Sequence, residues 1–198
     1  SSANEIERIG IEREQLTVIP PGVHERFTPD ESQRSLTPEV VVVGRLAPVK
    51  RQRLALDALE IARRSVPNLT VRLVGDGPDR PVIEAWITEH DAANWVQVAG
   101  RVSDEALVDA YRSAWLVLSA SHAEGWGMSL TEGGACGTPC VATDIAGHRG
   151  AAIDGLTGLL VPDTPDTGDT RLVDRLGSAV AELLVDGDRR AAMRTASI

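Results

Sequence analysis

Two segments of the sequence hold residues whose types and spacing suit a bound phosphate or diphosphate. The first segment, residues 44–50 (GRLAPVK), places Arg45 and Lys50 five positions apart, directly after the apolar run 40–43. A diphosphate at such a place can accept hydrogen bonds from N–H groups at the start of a helix and ion pairs from both cations. On spacing alone, a solvated basic helix start explains this segment equally well.

Lys50 is the only lysine in the chain, because nineteen of the twenty basic residues are arginine. A lysine carries a compact, strongly hydrated point charge that the planar guanidinium of arginine does not reproduce. A single ammonium in an arginine-rich chain favours a site at Lys50 that needs such a point charge, although one lysine could stand anywhere by chance.

The second segment, residues 119–134, combines glycines with two carboxylates. Gly125 and Gly127 lack side chains and let the backbone come close to a ligand. Glu124 and Glu132 stand on either side of this glycine pair. Carboxylates beside a phosphate site favour sugar hydroxyls as their partners. The segment is therefore predicted to be a binding site.

A helix beginning near Met128 is expected to follow the glycines. The N–H groups of Met128, Ser129 and Leu130 are then the free donors of its first turn, ready for a phosphate. The alternative is structural: Glu132 complements the helix dipole, and Trp126 is a packing residue.

Other motifs for chemistry are weaker. Residues 75–80 (GDGPDR) miss the dinucleotide fingerprint because Arg80 takes the place of its third glycine, which disfavours a nicotinamide-dependent oxidoreductase. Cys136 and Cys140 offer too few ligands for a structural zinc and are expected to be two buried thiols. The four histidines show no metal-binding spacing, so no metal site is predicted.

Short β-branched runs alternate with longer amphipathic stretches along the chain. The predicted strands cover residues 40–43, 69–74, 95–99, 115–119, 139–143 and 159–161. The predicted helices cover residues 51–66, 80–90, 148–153, 172–184 and 188–196, with two more beginning after Ser103 and near Met128. Residues 162–170 (PDTPDTGDT) are expected to be an exposed loop.

This alternation predicts an α/β fold: a Rossmann-like, mostly parallel sheet of about six strands with helices on both faces. In such sheets ligands bind beyond the carboxyl ends of the strands, where both segments are expected to lie. The net charge of −9 and the pI near 4.9 argue against a nucleic-acid partner, which needs a basic face. No apolar run is long enough for a membrane-spanning helix.

Seven motifs occur in the order typical of one protein family. They are VIPPGV (18–23), GRLAPVK (44–50), VGDGP (74–78), VAGRV (98–102), EGWG with the later Glu132 (124–132), GTPCVA (137–142) and DGLTGLLV (154–161). Together they resemble the nucleotide-sugar-binding half of retaining glycosyltransferases of the group-1 type (family four), which have the GT-B architecture. One departure is Gly150, which stands where the GGxxE motif of the family has an acidic residue.

The resemblance implies catalytic roles for Arg45, Lys50 and Glu124. The two cations would neutralise the diphosphate of the donor and the charge that grows on it as the glycosidic bond breaks. Glu124 would bind hydroxyls of the transferred sugar. The resemblance further implies donor-binding roles for Gly44, Arg101, Val102, Gly125, Trp126, Gly127, Met128, Ser129, Leu130 and Glu132.

Some of these donor-binding roles are specific. Ser129 and Leu130 would donate backbone N–H groups to phosphate, and Glu132 would bind the ribose hydroxyls. The backbone near Arg101 and Val102 would contact the base. The family generally needs no metal for catalysis, and no cofactor is expected besides the nucleoside-diphosphate sugar, which is the donor substrate.

The resemblance also divides the chain. Residues 1–22 are expected to be a remnant of an N-terminal domain with the interdomain linker, and residues 23–198 the donor-binding domain, with an incomplete C-terminal crossover helix. The expected partners are the nucleotide-sugar donor and the N-terminal, acceptor-binding domain of the same polypeptide. Without that domain the fragment is expected to be inactive.

The implied function is transfer of a sugar from a nucleoside-diphosphate sugar to an unidentified acceptor, a reaction of the hexosyltransferase type with retention of configuration. The expected location is cytoplasmic, with any contact to the inner face of the membrane made through the N-terminal domain. The alternative is a non-catalytic nucleotide or nucleotide-sugar binding module on the same fold.

Overall fold

Six parallel strands form the sheet in the computed structural model, which describes residues 10–17, 19–163 and 171–198. The strands are β1 Glu39–Val43, β2 Thr70–Val74, β3 Val96–Gly100, β4 Leu116–Ser119, β5 Cys140–Asp144 and β6 Gly158–Pro162. Their order across the sheet is β3-β2-β1-β4-β5-β6, and each neighbouring pair runs parallel. The predicted Rossmann-like parallel sheet of about six strands is confirmed.

Helices cover both faces of this sheet. Within the described ranges they are α1 Gln52–Ser65, α2 Arg80–Glu89, α3 Asp104–Ser113, α4 Met128–Ala135, α5 Ala146–Ala151, α6 Leu172–Val185 and α7 Gly187–Ser197. On one face, α1, α2 and α6 bury Leu56, Trp86 and Leu176. On the other face, α3 and α4 bury Tyr111 and Leu130. None of these helices is long and apolar enough to cross a membrane.

The central strand β1 is buried on both sides. Val40 and Val42 belong to the core shared with α1 and α6, whereas Val41 belongs to the core shared with α3 and α4. A strand covered on two faces needs apolar side chains in both alternating directions, which explains the continuous valine run.

The helix predicted over residues 51–66 begins differently from the prediction. A short 3-10 helix, Pro48–Lys50, comes first, and Arg51 then takes a left-handed conformation with φ of 49°. Only then does α1 begin, at Gln52. Because of this break, Lys50 belongs to the loop after β1 and not to the first turn of α1.

Two other helix starts test the sequence patterns. Ser103 is the predicted N-cap of α3, and its hydroxyl accepts a hydrogen bond from the Ala106 N–H at 3.3 Å. The helix predicted over residues 148–153 begins earlier, at Ala146. Ile145, the residue before it, is still extended and ends the segment that leaves β5.

Three predicted features fall partly outside the described residues. They are residues 1–9 of the predicted N-terminal remnant, Val18 of the first motif and residues 164–170 of the predicted loop. Pro162 closes β6 rather than opening that loop.

Cys136 and Cys140 are free and buried, which confirms the prediction of two buried thiols. Burial raises the pKa of Cys140 to about 12 and that of Cys136 to about 11. Both side chains are therefore protonated and unreactive at neutral pH.

Candidate functional site

The connections that leave the neighbouring strands β1 and β4 run in opposite directions across the sheet. The chain continues from β1 to β2 on one side and from β4 to β5 on the other. Such a switch point opens a crevice at the carboxyl ends of the two strands, where α/β sheets bind ligands. The loops after β1 and β4 meet there, and the His122 N–H donates to the Val49 carbonyl oxygen at 2.8 Å.

Lys50 from the first loop and Glu124 from the second form an ion pair at this crevice. The ammonium contacts Oε1 of the carboxylate, and the Ser121 hydroxyl donates to the same oxygen at 2.7 Å. The Lys50 side chain is 28% exposed and that of Glu124 13%, so the pair is shielded yet reachable from solvent. The fold thus brings together two residues that are 74 positions apart in the chain.

The loop after β2 supports the loop after β1. A Cβ at Gly75 would lie 2.0 Å from the Gly44 carbonyl oxygen, and one at Gly77 would lie 2.3 Å from the Leu46 carbonyl oxygen. The Leu46 N–H donates to the Asp76 carbonyl oxygen at 3.1 Å. Gly75 and Gly77 therefore let the backbones of the two loops pack closely together. This packing alone explains why both positions are glycine.

The first turn of α4 differs from the prediction of three free N–H donors. The Met128 N–H donates to the Trp126 carbonyl oxygen at 3.0 Å, and the Leu130 N–H donates to the Gly127 carbonyl oxygen at 2.9 Å. The prediction is wrong for Met128 and Leu130, because the glycine-rich loop curls back and offers its own carbonyl groups. Within the described part of the chain, the Ser129 N–H alone of the three has no acceptor.

Glu132 lies about one turn into α4 and is half-buried against α3. The Tyr111 hydroxyl donates to Oε2 of Glu132 at 2.8 Å. Burial raises the pKa of the Glu132 carboxyl above its ordinary value, and the hydrogen bond from Tyr111 partly opposes this shift. Burial, together with the nearby Glu132 charge, holds the pKa of the Tyr111 phenol well above 10, so the phenol remains the donor.

Trp126 packs against helix α5 at Gly150. The indole N–H donates to the Thr131 hydroxyl oxygen at 2.9 Å. A Cβ at Gly150 would lie 2.8 Å from Cζ3 of the indole. An acidic side chain at that position would collide with Trp126, which gives a physical reason for glycine where the family motif has an acid.

Four more of the predicted site residues line the same edge of the sheet and are exposed: Arg45, Arg101, Val102 and Gly125. Arg45 follows β1 directly, beside Gly44, whose N–H donates to the Val74 carbonyl oxygen at 2.9 Å. Because β2 lies between β1 and β3, the pair that follows β3 lies further along the edge. The predicted residues therefore form a row rather than one compact cluster.

The sequence patterns missed the polar residues behind the ion pair. His148 is fully buried, and its Nε2 lies 3.1 Å from the Ser119 hydroxyl oxygen. Arg51 donates to the carbonyl oxygens of Ala120 and Ser121, which fixes the loop after β4. Ser121 stands three positions before a glutamate, which was a usable signal, whereas nothing in the sequence marked His148.

No group of three or more His, Cys, Asp and Glu side chains in residues 10–17, 19–163 and 171–198 is arranged to hold a metal ion.

The chain is similar to enzymes that transfer sugars. It is 33% identical over 198 residues to a GDP-mannose-dependent alpha-(1-6)-phosphatidylinositol monomannoside mannosyltransferase of Mycobacterium tuberculosis, an alignment that covers 91% of this chain and 50% of the relative. It is 33% identical over 203 residues to a D-inositol 3-phosphate glycosyltransferase of Geodermatophilus obscurus, covering 93% and 45%. The chain thus spans about half the length of the curated relatives that it matches.

Solved structures share the fold. The pneumococcal O-GlcNAc transferase GtfA, in complex with UDP and GlcNAc, has a TM-score of 0.78 at 26% identity, covering 85% of this chain and 33% of that one. Sucrose-phosphate synthase from Thermosynechococcus elongatus has a TM-score of 0.80 at 26% identity, covering 100% and 51%.

The family model described as "Glycosyl transferases group 1" matches residues 25–197, which is most of the chain. That match includes both loops at the switch point, from Gly44 to the last turn of α4. With the curated relatives at 33% identity over nine-tenths of the sequence, it shows that this chain belongs to the group 1 glycosyl transferases.

Proposed function

We propose that this chain is the donor-binding part of a glycosyltransferase that moves a sugar from a nucleoside-diphosphate sugar to an acceptor with retention of configuration. The observation that carries the proposal is the meeting of Lys50 and Glu124 at the switch point. One cation for a diphosphate and one carboxylate for sugar hydroxyls then stand side by side, as a nucleotide sugar requires.

Breaking the bond between sugar and diphosphate separates charge. The sugar becomes oxocarbenium-like while negative charge grows on the leaving phosphate. Arg45 and Lys50 are the cations of the loop after β1, and in this proposal they stabilise that growing charge more than they stabilise the intact donor. This difference is what accelerates the step.

Lys50 must exchange partners when the donor binds. In the structure its ammonium contacts Glu124. A diphosphate carries more negative charge than one carboxylate and offers several acceptor oxygens, so it competes well for the lysine. Glu124 is then free to accept hydrogen bonds from the transferred sugar.

In this proposal the ribose binds at α4 and the base at the loop after β3. Glu132 is held by Tyr111 near the first turn of α4 and accepts hydrogen bonds from ribose hydroxyls in this proposal. The exposed backbone at Arg101 and Val102 contacts the base. The names of related proteins include both a GDP-mannose-dependent enzyme and an enzyme crystallised with UDP, so the test includes both bases.

Calorimetric titration with UDP, GDP and ADP tests the proposal directly. We expect at least one of the three nucleoside diphosphates to bind the wild-type chain. Absence of heat for all three would contradict the proposed function.

Lys50→Ala separates a binding role from a structural one. Losing a charge-assisted contact to the diphosphate, about 1.5–3 kcal/mol, should weaken binding roughly tenfold to a hundredfold. The melting temperature should change little, because a partly exposed ion pair contributes only about 0–1 kcal/mol. Arg64→Ala, at an exposed position near the end of α1, is the matched control and should bind like the wild type. Equal losses in both variants would exclude a specific role for Lys50.

A further inference from the structure

A continuous line of polar side chains leads from the ion pair into the interior of the protein. The Ser121 hydroxyl donates to Oε1 of Glu124 at 2.7 Å. The hydroxyl oxygens of Ser119 and Ser121 lie 3.3 Å apart, and that of Ser119 lies 3.1 Å from Nε2 of His148. The line therefore joins a carboxylate at the crevice to a buried imidazole through two hydroxyls.

His148 is fixed at the inner end of this line. Its ring is fully buried, and Nδ1 lies 2.7 Å from the Thr143 carbonyl oxygen. A carbonyl oxygen can only accept, so Nδ1 carries a proton and, in the neutral ring, Nε2 is the acceptor. Thr143 also donates from its hydroxyl to the Ser121 carbonyl oxygen at 2.6 Å, which fixes the loop relative to β5.

When the imidazole of His148 is neutral, the line has too few protons for all of its contacts to be hydrogen bonds. Three contacts join Glu124, Ser121, Ser119 and His148, but only the two hydroxyls supply protons to them. Ser121 donates to the carboxylate and Ser119 to the imidazole, which leaves no proton between the two hydroxyls. A protonated ring supplies the third proton, and all three contacts then become hydrogen bonds that end at the carboxylate.

Charged groups of both signs act on this ring. Burial lowers the pKa of His148, the hydrogen bond to the Thr143 carbonyl oxygen and the Glu124 charge raise it, and the cations Lys50 and Arg51 lower it again. Asp144, at the end of β5, is a second carboxylate nearby, and its hydrogen bond from Arg149 lowers the pKa of that carboxyl more than the imidazole does. Glu124 is the charge that the hydroxyl line connects to the ring.

Both interior donors contact the same oxygen of Glu124. Lys50 and Ser121 meet Oε1, while Oε2 has no donor within the described residues. One oxygen thus anchors the side chain, and the other is available for a ligand. When the diphosphate takes Lys50 away, Ser121 is the remaining anchor of Oε1.

We propose that His148 is a positioning residue for Glu124, acting through Ser119 and Ser121 so that Oε2 of the carboxylate is presented to hydroxyls of the transferred sugar. This inference rests on the proposed function for the identity of the ligand. The coupling between ring and carboxylate does not depend on that function.

A titration of the histidine ring by NMR tests the coupling without any nucleotide. Glu124→Gln removes the anion at the end of the line, and Ser121→Ala breaks the line, so each should lower the measured pKa of His148 by roughly half a unit or more. His148→Gln identifies the resonance. His90, which contacts Glu60 on another surface, is the internal control and should titrate unchanged. An unchanged His148 pKa in both variants overturns the inference.

A comparison of two ligands tests the positioning role. His148→Leu should weaken binding of UDP-glucose or GDP-mannose about threefold to tenfold, the effect of one hydrogen bond, and leave binding of UDP or GDP within about twofold. His148→Gln should recover little of the loss, because its amide, like the neutral ring, donates to Thr143 and accepts from Ser119 and so supplies no proton to the contact between the two hydroxyls. Equal weakening for sugar and diphosphate shows a purely structural role and overturns the inference. If no nucleotide binds the wild type, the proposed function fails, and the ring titration alone decides the coupling.

Discussion

Glu132 and Tyr111 show how a residue proposed to bind the donor can act against the stability of the fold. The carboxyl is half-buried, and burial raises its pKa. A group whose pKa is raised by folding contributes stability below its unfolded pKa, and this contribution is lost as the pH rises through the folded pKa. Ionised Glu132 therefore destabilises the fold at neutral pH. Its proposed function in binding ribose would explain why a carboxylate occupies this position.

Glu132→Gln should accordingly stabilise the protein at pH 7. The amide oxygen still accepts from Tyr111, while the cost of burying a charge is gone. We expect the melting temperature to rise by about 1–3 °C at pH 7, given that 1 kcal/mol corresponds to about 2–4 °C at this chain length. The gain should vanish below about pH 4, where the wild-type carboxyl is protonated. Glu89→Gln, at an exposed position of α2, is the control and should show neither effect. A melting temperature that falls at pH 7 would contradict this account.

The residue types near the ligand were predictable, but their hydrogen bonds were not. Lys50 and Glu124 stood out because a lone ammonium and a carboxylate beside glycines are unusual in loops after strands. His148 did not stand out, because its burial and its contact to Ser119 depend on how α5 packs against the sheet, which no local pattern encodes. The free N–H of Leu130 was predicted wrongly because a loop carbonyl group reached it first.

At the scale of elements, α4, which is proposed to bind the ribose and phosphate groups, is unusually rich in glycine. Gly133 and Gly134 are adjacent, yet their surroundings differ. A Cβ at Gly133 would lie 2.4 Å from Cγ2 of Val117 on β4, whereas one at Gly134 would lie at an ordinary 3.7 Å from Ser197. The first glycine is required for close packing on the sheet, and the second is not.

This difference predicts opposite effects for two neighbouring substitutions. Gly134→Ala should stabilise the protein by about 0.5–1 kcal/mol, the gain in helix propensity over glycine. Gly133→Ala should destabilise it by about 1–3 kcal/mol, because the stiff, buried Val117 cannot move away. Urea unfolding of the two variants measures both values, and each variant is the control for the other. Two changes of the same sign would show that packing on β4 does not decide the effect.

The start of α1 shows why element boundaries are harder to predict than elements. The apolar spacing of residues 51–66 predicted the helix itself, and α1 covers Gln52–Ser65. The left-handed Arg51 depends on contacts that its side chain makes with the distant Ala120 and Asp163. Tertiary contacts of this kind override local propensity at the ends of elements.

For the whole molecule, alternation of strands and helices was enough to predict the parallel sheet with two covered faces. The strand order was not predictable, since alternation alone does not say where the chain reverses its direction across the sheet. That reversal, between β1 and β4, is what brings Lys50 to Glu124. The site therefore depends on topology more than on either loop alone.

The predicted donor site is also open on the side away from the sheet. Arg45, Arg101 and Gly125 are exposed, so water reaches the positions proposed for the sugar and the diphosphate from that side. Transferases that pass through an oxocarbenium-like state need water excluded, both to strengthen the electrostatic contacts and to prevent hydrolysis. The chain spans about half the length of the curated relatives that it matches, and we propose that a second domain covers the crevice and binds the acceptor.

We therefore expect binding without turnover for this chain by itself. Supplied with UDP-glucose or GDP-mannose, it should release nucleoside diphosphate no faster than buffer does, although it binds the nucleotide. The measurement is a coupled assay for UDP or GDP, with Lys50→Ala as the control that assigns any residual release to this site. Because Lys50 contacts the leaving group in the proposed mechanism, release by the wild type that disappears in Lys50→Ala would mean that the exposed half-site is already competent. In that case the second domain would provide acceptor specificity alone, and exclusion of water would not be the reason for it.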